Sequence, residues 1–387
     1  MPLRLLGPDD PALNVLDSAL KSRPEWQATL AIVPWSEYRE RLVAALTAGN
    51  VPYQAVCVPG HIWIPELADA GYLAPLDPLL DALPGDLVAE YRPDDILPAI
   101  AQESRYEGRQ YMLPLFSDGH VLFYRADKIT LPTDDGVPVV SPGKLGELAS
   151  GAHQPPDIYG LALKAHPSEI LFDWLPFLWE EGGDLLDAAG QPAFAGEAGI
   201  RALETYCGLR RFCPPDTHTY GNAEIAAVIK SGRAALATTW GGQAATIVLA
   251  PDNAYRTVYR TAVYPRPWNT TWGVAVSANG SHSQQLAVLA VLLQAAGPEQ
   301  DRQITRVAGS PVRQSSYSPE ETARYPWLPA QYEMLRRSGT LPIHPKVGAF
   351  LGALYEAVYA AFTGQTTPRE ALARAESAVQ SVLNESK

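Results

Sequence analysis

Three strand-and-helix units stand in succession at the start of the chain, and that repetition limits the fold more than any single motif. "LRLL" (3–6) reads as a buried strand, with Asp10 as N-cap and Pro11 at the first helical position ahead of Leu13, Leu16 and Leu20. "ATLAIV" (28–33) is the next strand; Ser36 can cap a helix that carries Tyr38, Leu42, Ala45 and Leu46 on one face and stops at Gly49. "QAVCV" (54–58) is the third, followed by a helix over 62–70 that Gly71 ends. Strands joined through helices run parallel, so these units predict a mostly parallel sheet covered on both faces.

At 387 residues the chain exceeds the size at which one core keeps growing, which favours two domains. The grammar changes at 104–125, where a turn at Glu107-Gly108 joins aromatic-rich strands, and here the chain first crosses between domains. A second α/β set follows. It comprises strand 159–164, a Ser168-capped helix, a helix near 197–212, an Asn222-capped helix over 223–231 and strand 234–239. Strand 271–278 and an apolar helix ending at Gly297-Pro298 lead into a helical last third, where Pro345 opens one helix and Thr367 to Glu370 form a capping box for the last.

Charge and composition remove several classes of function. A net charge of −12 and a pI near 5.1 repel phosphate backbones and anionic membrane surfaces, so no nucleic acid is expected as a partner. The longest apolar run, 286–293, is far short of the roughly 20 residues of a membrane-spanning helix. The first ten residues go straight into a strand and a turn without leader features, so the expectation is either a cytoplasmic protein or a mature chain whose leader has been removed. Cys57 reads as a small buried hydrophobe, while Cys207 and Cys213 leave a disulfide open, since spacing does not settle geometry. G-x-S-x-G, H-E-x-x-H, Walker A and G-x-G-x-x-G motifs are absent from any strand-to-helix context, and the seven histidines show no metal-ligand spacing. No metal, cofactor or enzymatic activity is expected.

The segments "WSEYRERLVAALTAGNVPYQAVCV" (35–58), "ELADAGYLAPLD" (66–77), "YEGRQYMLPLFSDGHVLFYRADKI" (106–129), "EIAAVIKSGRAALATTWGG" (224–242), "WGVAVSANGS" (272–281) and "GSPVRQSSY" (309–317) together resemble the extracellular solute-binding proteins, family 1, of carbohydrate-uptake ABC transporters, the family that includes maltose-binding protein. The resemblance covers nearly the whole chain. It implies a two-lobed periplasmic-binding-protein-like α/β fold of type II, each lobe a mostly parallel sheet flanked by helices. Crossings near Ser117-Asp118, Val263 to Pro265 and Gly309 to Pro311 imply one lobe from 1–117 plus 265–309 and another from 118–264 plus 310–387. It also implies a small carbohydrate held in the cleft between lobes with hinge closure, an ABC permease as partner, a monomeric chain and an extracytoplasmic location.

A sugar presents hydroxyls that both donate and accept, together with flat C–H faces, so its site needs aromatic plates beside polar groups. Asp118 at the first crossing is a candidate, its alternative being a cap for local backbone N–H groups. Asp9 stands in the turn after the first strand, where Asp10 is taken up as an N-cap. Trp240 follows a strand and precedes Gly241-Gly242. Of Trp272 and Trp268, one lines the cleft and the other is core. His61 and Trp63 are placed in a loop, residues 59–63, at a strand's carboxyl end, where open α/β sheets bind ligands. Trp35 is either a ligand plate or a hydrophobic staple. Trp174 and Phe172 are rim candidates on a helix whose aromatic stripe otherwise reads as core. Arg313 is poised for a forked contact with hydroxyls or for an ion pair. In maltodextrin-binding relatives the long C-terminal helix offers a large aromatic, whereas this chain has Leu351 and Gly352, which points to a smaller sugar or a different ligand. The competing readings are a carbohydrate-active enzyme using a carboxylate pair such as Asp9 with Asp118, and a ligand sensor without transport.

Overall fold

The strand expected at 28–33 forms over those residues, Ala28–Val33, and lies parallel to Leu3–Pro8, which is also parallel to Ala55–Pro59. The computed structural model describes residues 2–133 and 136–384. The chain divides into two compact units: Met1–Asp118 with Thr270–Glu321 and Ile343–Pro345, and Gly119–Asn269 with Thr322–Pro342 and Lys346–Lys387. Ser310 to Glu321, assigned by the sequence to the second lobe, therefore belongs to unit 1.

In unit 1 the three parallel strands continue into Asn269–Val276, antiparallel to Ala55–Pro59, and then to Met112–Arg125. Asp10 caps the first helix, its carboxylate accepting from the Ala12 N–H at 2.8 Å, with Pro11 as the first helical residue. The second helix is Trp35–Thr47 and starts one residue before Ser36, so Ser36 lies inside the first turn and Pro34 holds the cap position. Its buried face is Tyr38, Leu42 and Leu46, each leucine contributing roughly 1.5–3 kcal/mol by leaving water. The Tyr38 hydroxyl donates to the Cys57 carbonyl and lies 3.3 Å from that of Leu6, which ties the helix to two strands.

After the third strand the chain does not loop. Ala55–Pro59 passes directly into the helix Gly60–Asp69, so His61 and Trp63 are helical and buried. Glycine permits this junction, because a Cβ at position 60 would stand 2.4 Å from the Glu103 carbonyl oxygen. The expected turn at 107–108 closes a two-stranded hairpin, with φ of 48° at Glu107 and 78° at Gly108.

In unit 2, Tyr159–Ala162 runs parallel to Ala234–Trp240, and Met112–Arg125 lies antiparallel to both Ala234–Trp240 and Tyr259–Ala262. The helix expected to be capped by Ser168 is Ile170–Glu180, with Glu169 at the cap position; the Ser168 hydroxyl bonds the His166 ring at 2.8 Å instead. Asn222 is the first helical residue of Asn222–Lys230 and Gly221 the cap, its N–H donating to Glu224 at 3.0 Å. The capping box of the last helix forms reciprocally: the Thr367 N–H donates to the Glu370 carboxylate at 3.2 Å, and the Glu370 N–H to the Thr367 hydroxyl at 3.3 Å. All three cysteines are free, so Cys207 and Cys213 are not bridged. Burial pushes the Cys207 and Cys213 thiols up to about 12 and that of Cys57 well above its ordinary value.

Asp301 shows why the 310–317 segment stays with unit 1. Its buried carboxylate accepts from the Val312 N–H at 2.8 Å, the Arg313 N–H at 3.3 Å and the Ser316 hydroxyl at 2.6 Å. Burial raises its pKa to about 6 despite these donors and the nearby Arg313. A carboxyl whose folded pKa lies above its unfolded one contributes stability at low pH and loses it as pH rises through the folded value. Urea titrations of wild type and Asp301→Asn should therefore diverge between pH 4 and 6, the wild type alone losing on the order of 1–3 kcal/mol over that interval.

Candidate functional site

Each unit gathers aromatic and charged side chains at strand ends, and each group is built from its own elements. In unit 1 the Asp9 N–H donates to the Val33 carbonyl at 2.8 Å, so the exposed Asp9 and the Trp35 that opens the next helix stand at the carboxyl ends of adjacent parallel strands. Gly60–Asp69 starts at the carboxyl end of the third strand and brings Trp63 there, while Trp272 on the antiparallel strand is in register with Pro59.

The three indoles meet. Trp35 and Trp63 are parallel within 1° with centroids 6.1 Å apart, and Trp272 meets both edge-on at 5.6 and 5.9 Å. Phe116 lies parallel to Trp272 at 6.0 Å, and the Arg39 guanidinium stands 4.8 Å over the Trp63 ring while bonding both Glu66 oxygens at 2.6 Å. Trp35 alone of the three is largely accessible, at 45% exposure. His61 is turned to other work: its Nδ1 is 3.6 Å from Glu103, whose same oxygen accepts the Thr271 N–H at 2.7 Å.

In unit 2, Trp240 ends its strand and its indole N–H donates to Glu169 Oε2 at 2.7 Å. The ammonium of fully buried Lys164 donates to the same oxygen at 3.1 Å and lies 3.9 Å from the Trp240 ring centre. A buried cation needs such a partner. Trp268 meets Trp240 at 5.1 Å and 60°, and is covered by Phe172 at 4.1 Å and 7°. Tyr355 meets Phe172 edge-on at 5.5 Å, and burial followed by the Glu169 charge holds its hydroxyl well above the ordinary range. The C-terminal helix therefore does carry an aromatic to this group, one turn beyond Leu351.

Of the residues singled out in the sequence, Trp35, Trp63 and Trp272 come together in unit 1, with Asp9 at the neighbouring strand end; Trp240 joins Trp268 and Phe172 in unit 2. Asp118 is buried at the end of unit 1. Two candidates are interior. Trp174 is fully buried on a helix whose residues 170–179 are all buried, because its stripe is core. Arg313 is also fully buried, donating to the Arg92 and Ala296 carbonyls at 3.0 and 3.1 Å with its guanidinium 4.5 Å over Tyr91.

Sequence reasoning missed Lys164, Glu169, Tyr355 and Arg39. The sequence places Lys164 inside a strand, which instead ends at Ala162, and the expected Ser168 cap masks Glu169, which holds the cap position. Among the described residues, no group of three His, Cys, Asp or Glu side chains is placed to hold a metal ion, and no helix is long and apolar enough to cross a membrane.

The model of the bacterial extracellular solute-binding protein family matches residues 23–297. The chain belongs to that family. It is 26% identical over 334 residues to a mannitol-binding protein of Pseudomonas aeruginosa, covering 75% of this chain and 73% of that one. Similar solved structures include an ABC transporter solute-binding protein of Agrobacterium radiobacter K84 in complex with ribitol (TM-score 0.85, 21% identity, 97% of each chain covered). Another, from Agrobacterium vitis S4 with bound D-mannitol, has a TM-score of 0.84 at 16% identity and covers 100% of this chain and 99% of that one. These likenesses show the fold of the solute-binding proteins.

Removing Arg313 should act on the fold. Arg313→Met removes the donors to the Arg92 and Ala296 carbonyls, so urea denaturation should show a loss of about 1–3 kcal/mol for each acceptor left unmet.

Proposed function

We propose that the chain is the substrate-capturing component of an ABC uptake system for a small, flexible polyhydroxylated ligand, a hexitol or pentitol before an oligosaccharide. The observation that carries this reading is the state of the indole faces. In unit 2 one face of Trp240 is taken by the Lys164 ammonium and one of Trp268 by Phe172; in unit 1 Trp63 is covered by Arg39. Rings already stacked on protein groups offer little platform for a run of pyranoses. They still form apolar walls beside the Glu169 carboxylate, whose Oε2 is held by Lys164 and Trp240.

The relatives support the same class, being a mannitol-binding protein and proteins with bound ribitol and D-mannitol. Within unit 1 the candidate ligand groups are Asp9 and Trp35, and within unit 2 they are Glu169, Trp240 and Trp268. In this role the protein acts as a monomer outside the cytoplasm and delivers its ligand to a membrane permease.

Calorimetry with D-mannitol, ribitol, D-sorbitol, maltose and maltotriose tests the reading. The expected result is micromolar affinity for a polyol, equivalent to about −8 kcal/mol, and weaker or no binding of maltotriose; preference for maltotriose or consumption of any sugar would overturn it. Glu169→Gln, which keeps the shape and loses the charge, should weaken polyol binding by about 10- to 100-fold. Trp35→Ala, at an exposed position, should weaken binding while moving the melting temperature by no more than a few degrees.

A further inference from the structure

One buried side chain of unit 2 touches both tryptophans beside Glu169 and is not itself part of the proposed ligand surface. His120, fully buried, sits directly across the antiparallel ladder from Trp240. Its ring meets that of Trp240 at 4.8 Å and 74°, and that of Trp268 at 6.2 Å and 74°. Two hydrogen bonds fasten it to Trp268: the His120 N–H donates to the Trp268 carbonyl at 3.0 Å, and the Trp268 N–H donates to His120 Nδ1 at 3.2 Å. With Nδ1 accepting, the proton of the neutral ring is on Nε2. Nε2 lies 3.4 Å from Asp173 Oδ1.

Asp173 links the imidazole to the rest of the site. Its Oδ2 accepts from the main-chain N–H of Lys164 at 3.1 Å and from the Tyr206 hydroxyl at 3.1 Å. Lys164 is the residue whose ammonium holds Glu169. We propose that His120, backed by Asp173, is a positioning residue for ligand binding: in its neutral form it sets Trp268 and Trp240 in place, and affinity falls when it takes up a proton. The proposal rests on the reading of this surface as ligand-binding.

The chemistry at Nδ1 gives the direction. A protonated imidazole carries N–H on both nitrogens, so Nδ1–H would face the Trp268 N–H, donor against donor, and that strand start must move. The charged and titratable groups around the ring are Asp173 from the helix Ile170–Glu180, Lys164 beyond the strand Tyr159–Ala162 and Tyr264 beyond the strand Tyr259–Ala262, the last 5.3 Å away. Burial, the largest influence, lowers the proton affinity of His120; Asp173 opposes it and Lys164 reinforces it. The ring is therefore neutral at neutral pH and protonates only below the ordinary imidazole value of about 6.5.

The test uses the whole chain and D-mannitol, with calorimetric affinity, melting temperature and ligand-free indole emission read at pH 7.5 and 5.0. His120→Asn offers an oxygen to the Trp268 N–H, and His120→Leu offers none. His120→Leu should weaken binding about tenfold or more, while His120→Asn stays within about threefold of wild type. Wild-type affinity should fall as the pH is lowered from 7.5 to 5.0, and that of His120→Asn should change little. A His120→Leu protein that melts lower yet binds as tightly as wild type, or a His120→Asn protein that keeps the wild-type pH profile, would overturn the proposal. If wild type binds no polyol or sugar at pH 7.5, the functional reading fails. The positioning claim is then decided by indole emission, which should change with pH in wild type and stay constant in His120→Asn; equal responses in both overturn it.

Discussion

The geometry of unit 2 depends on a single buried ammonium. Lys164 is fully enclosed, and a lysine in that setting requires a counter-charge and further polar contacts. Glu169 supplies the charge and the Trp240 ring supplies a quadrupole face. The carboxylate and the indole are thus held where the cation needs them, and they are the two groups proposed to face a ligand. Under that proposal stability and recognition share one set of atoms, which gives a rigid site at no separate cost in side-chain ordering.

Unit 1 reaches a similar result by different means. Its aromatic group is assembled from the starts of two helices and one antiparallel strand, all at the same edge of the sheet. The direct passage from Pro59 to Gly60 matters because a loop there would leave Trp63 on a flexible segment, whereas a helix set against Glu103 fixes it. The contrast between half-exposed Trp35 and its two buried neighbours marks where solvent begins.

Much of this was legible in the sequence and some was not, for definable reasons. The Asp10 cap, the Glu107-Gly108 hairpin and the Thr367 capping box were readable because each rests on contacts only a few residues apart, and strand Ala28–Val33 was readable from its apolar run although its partner Leu3–Pro8 is distant in sequence. The family and its α/β architecture were legible from the order of several short segments, although no one of them sufficed. What failed depended on tertiary neighbours. Ser168 has the chemistry of a cap, yet His166 takes its hydroxyl and the helix opens two residues later. Arg313 reads in sequence as a ligand fork or an ion-pair partner because nothing local announces the carbonyls of Arg92 and Ala296 that enclose it. Lys164 and Glu169 escaped since a charged pair is unremarkable in sequence and becomes informative only when one partner proves to be enclosed.

The state of the cysteines has a practical corollary. Cys57 and Cys213 are buried, Cys207 is half-buried, and burial keeps all three thiols protonated far above neutral pH. Thiolates are the reacting species in alkylation, so the native sulfurs are poor targets for maleimide or iodoacetamide dyes. A cysteine introduced on an exposed turn would be labelled selectively without first stripping the natural ones, which makes this chain a convenient scaffold for an optical biosensor.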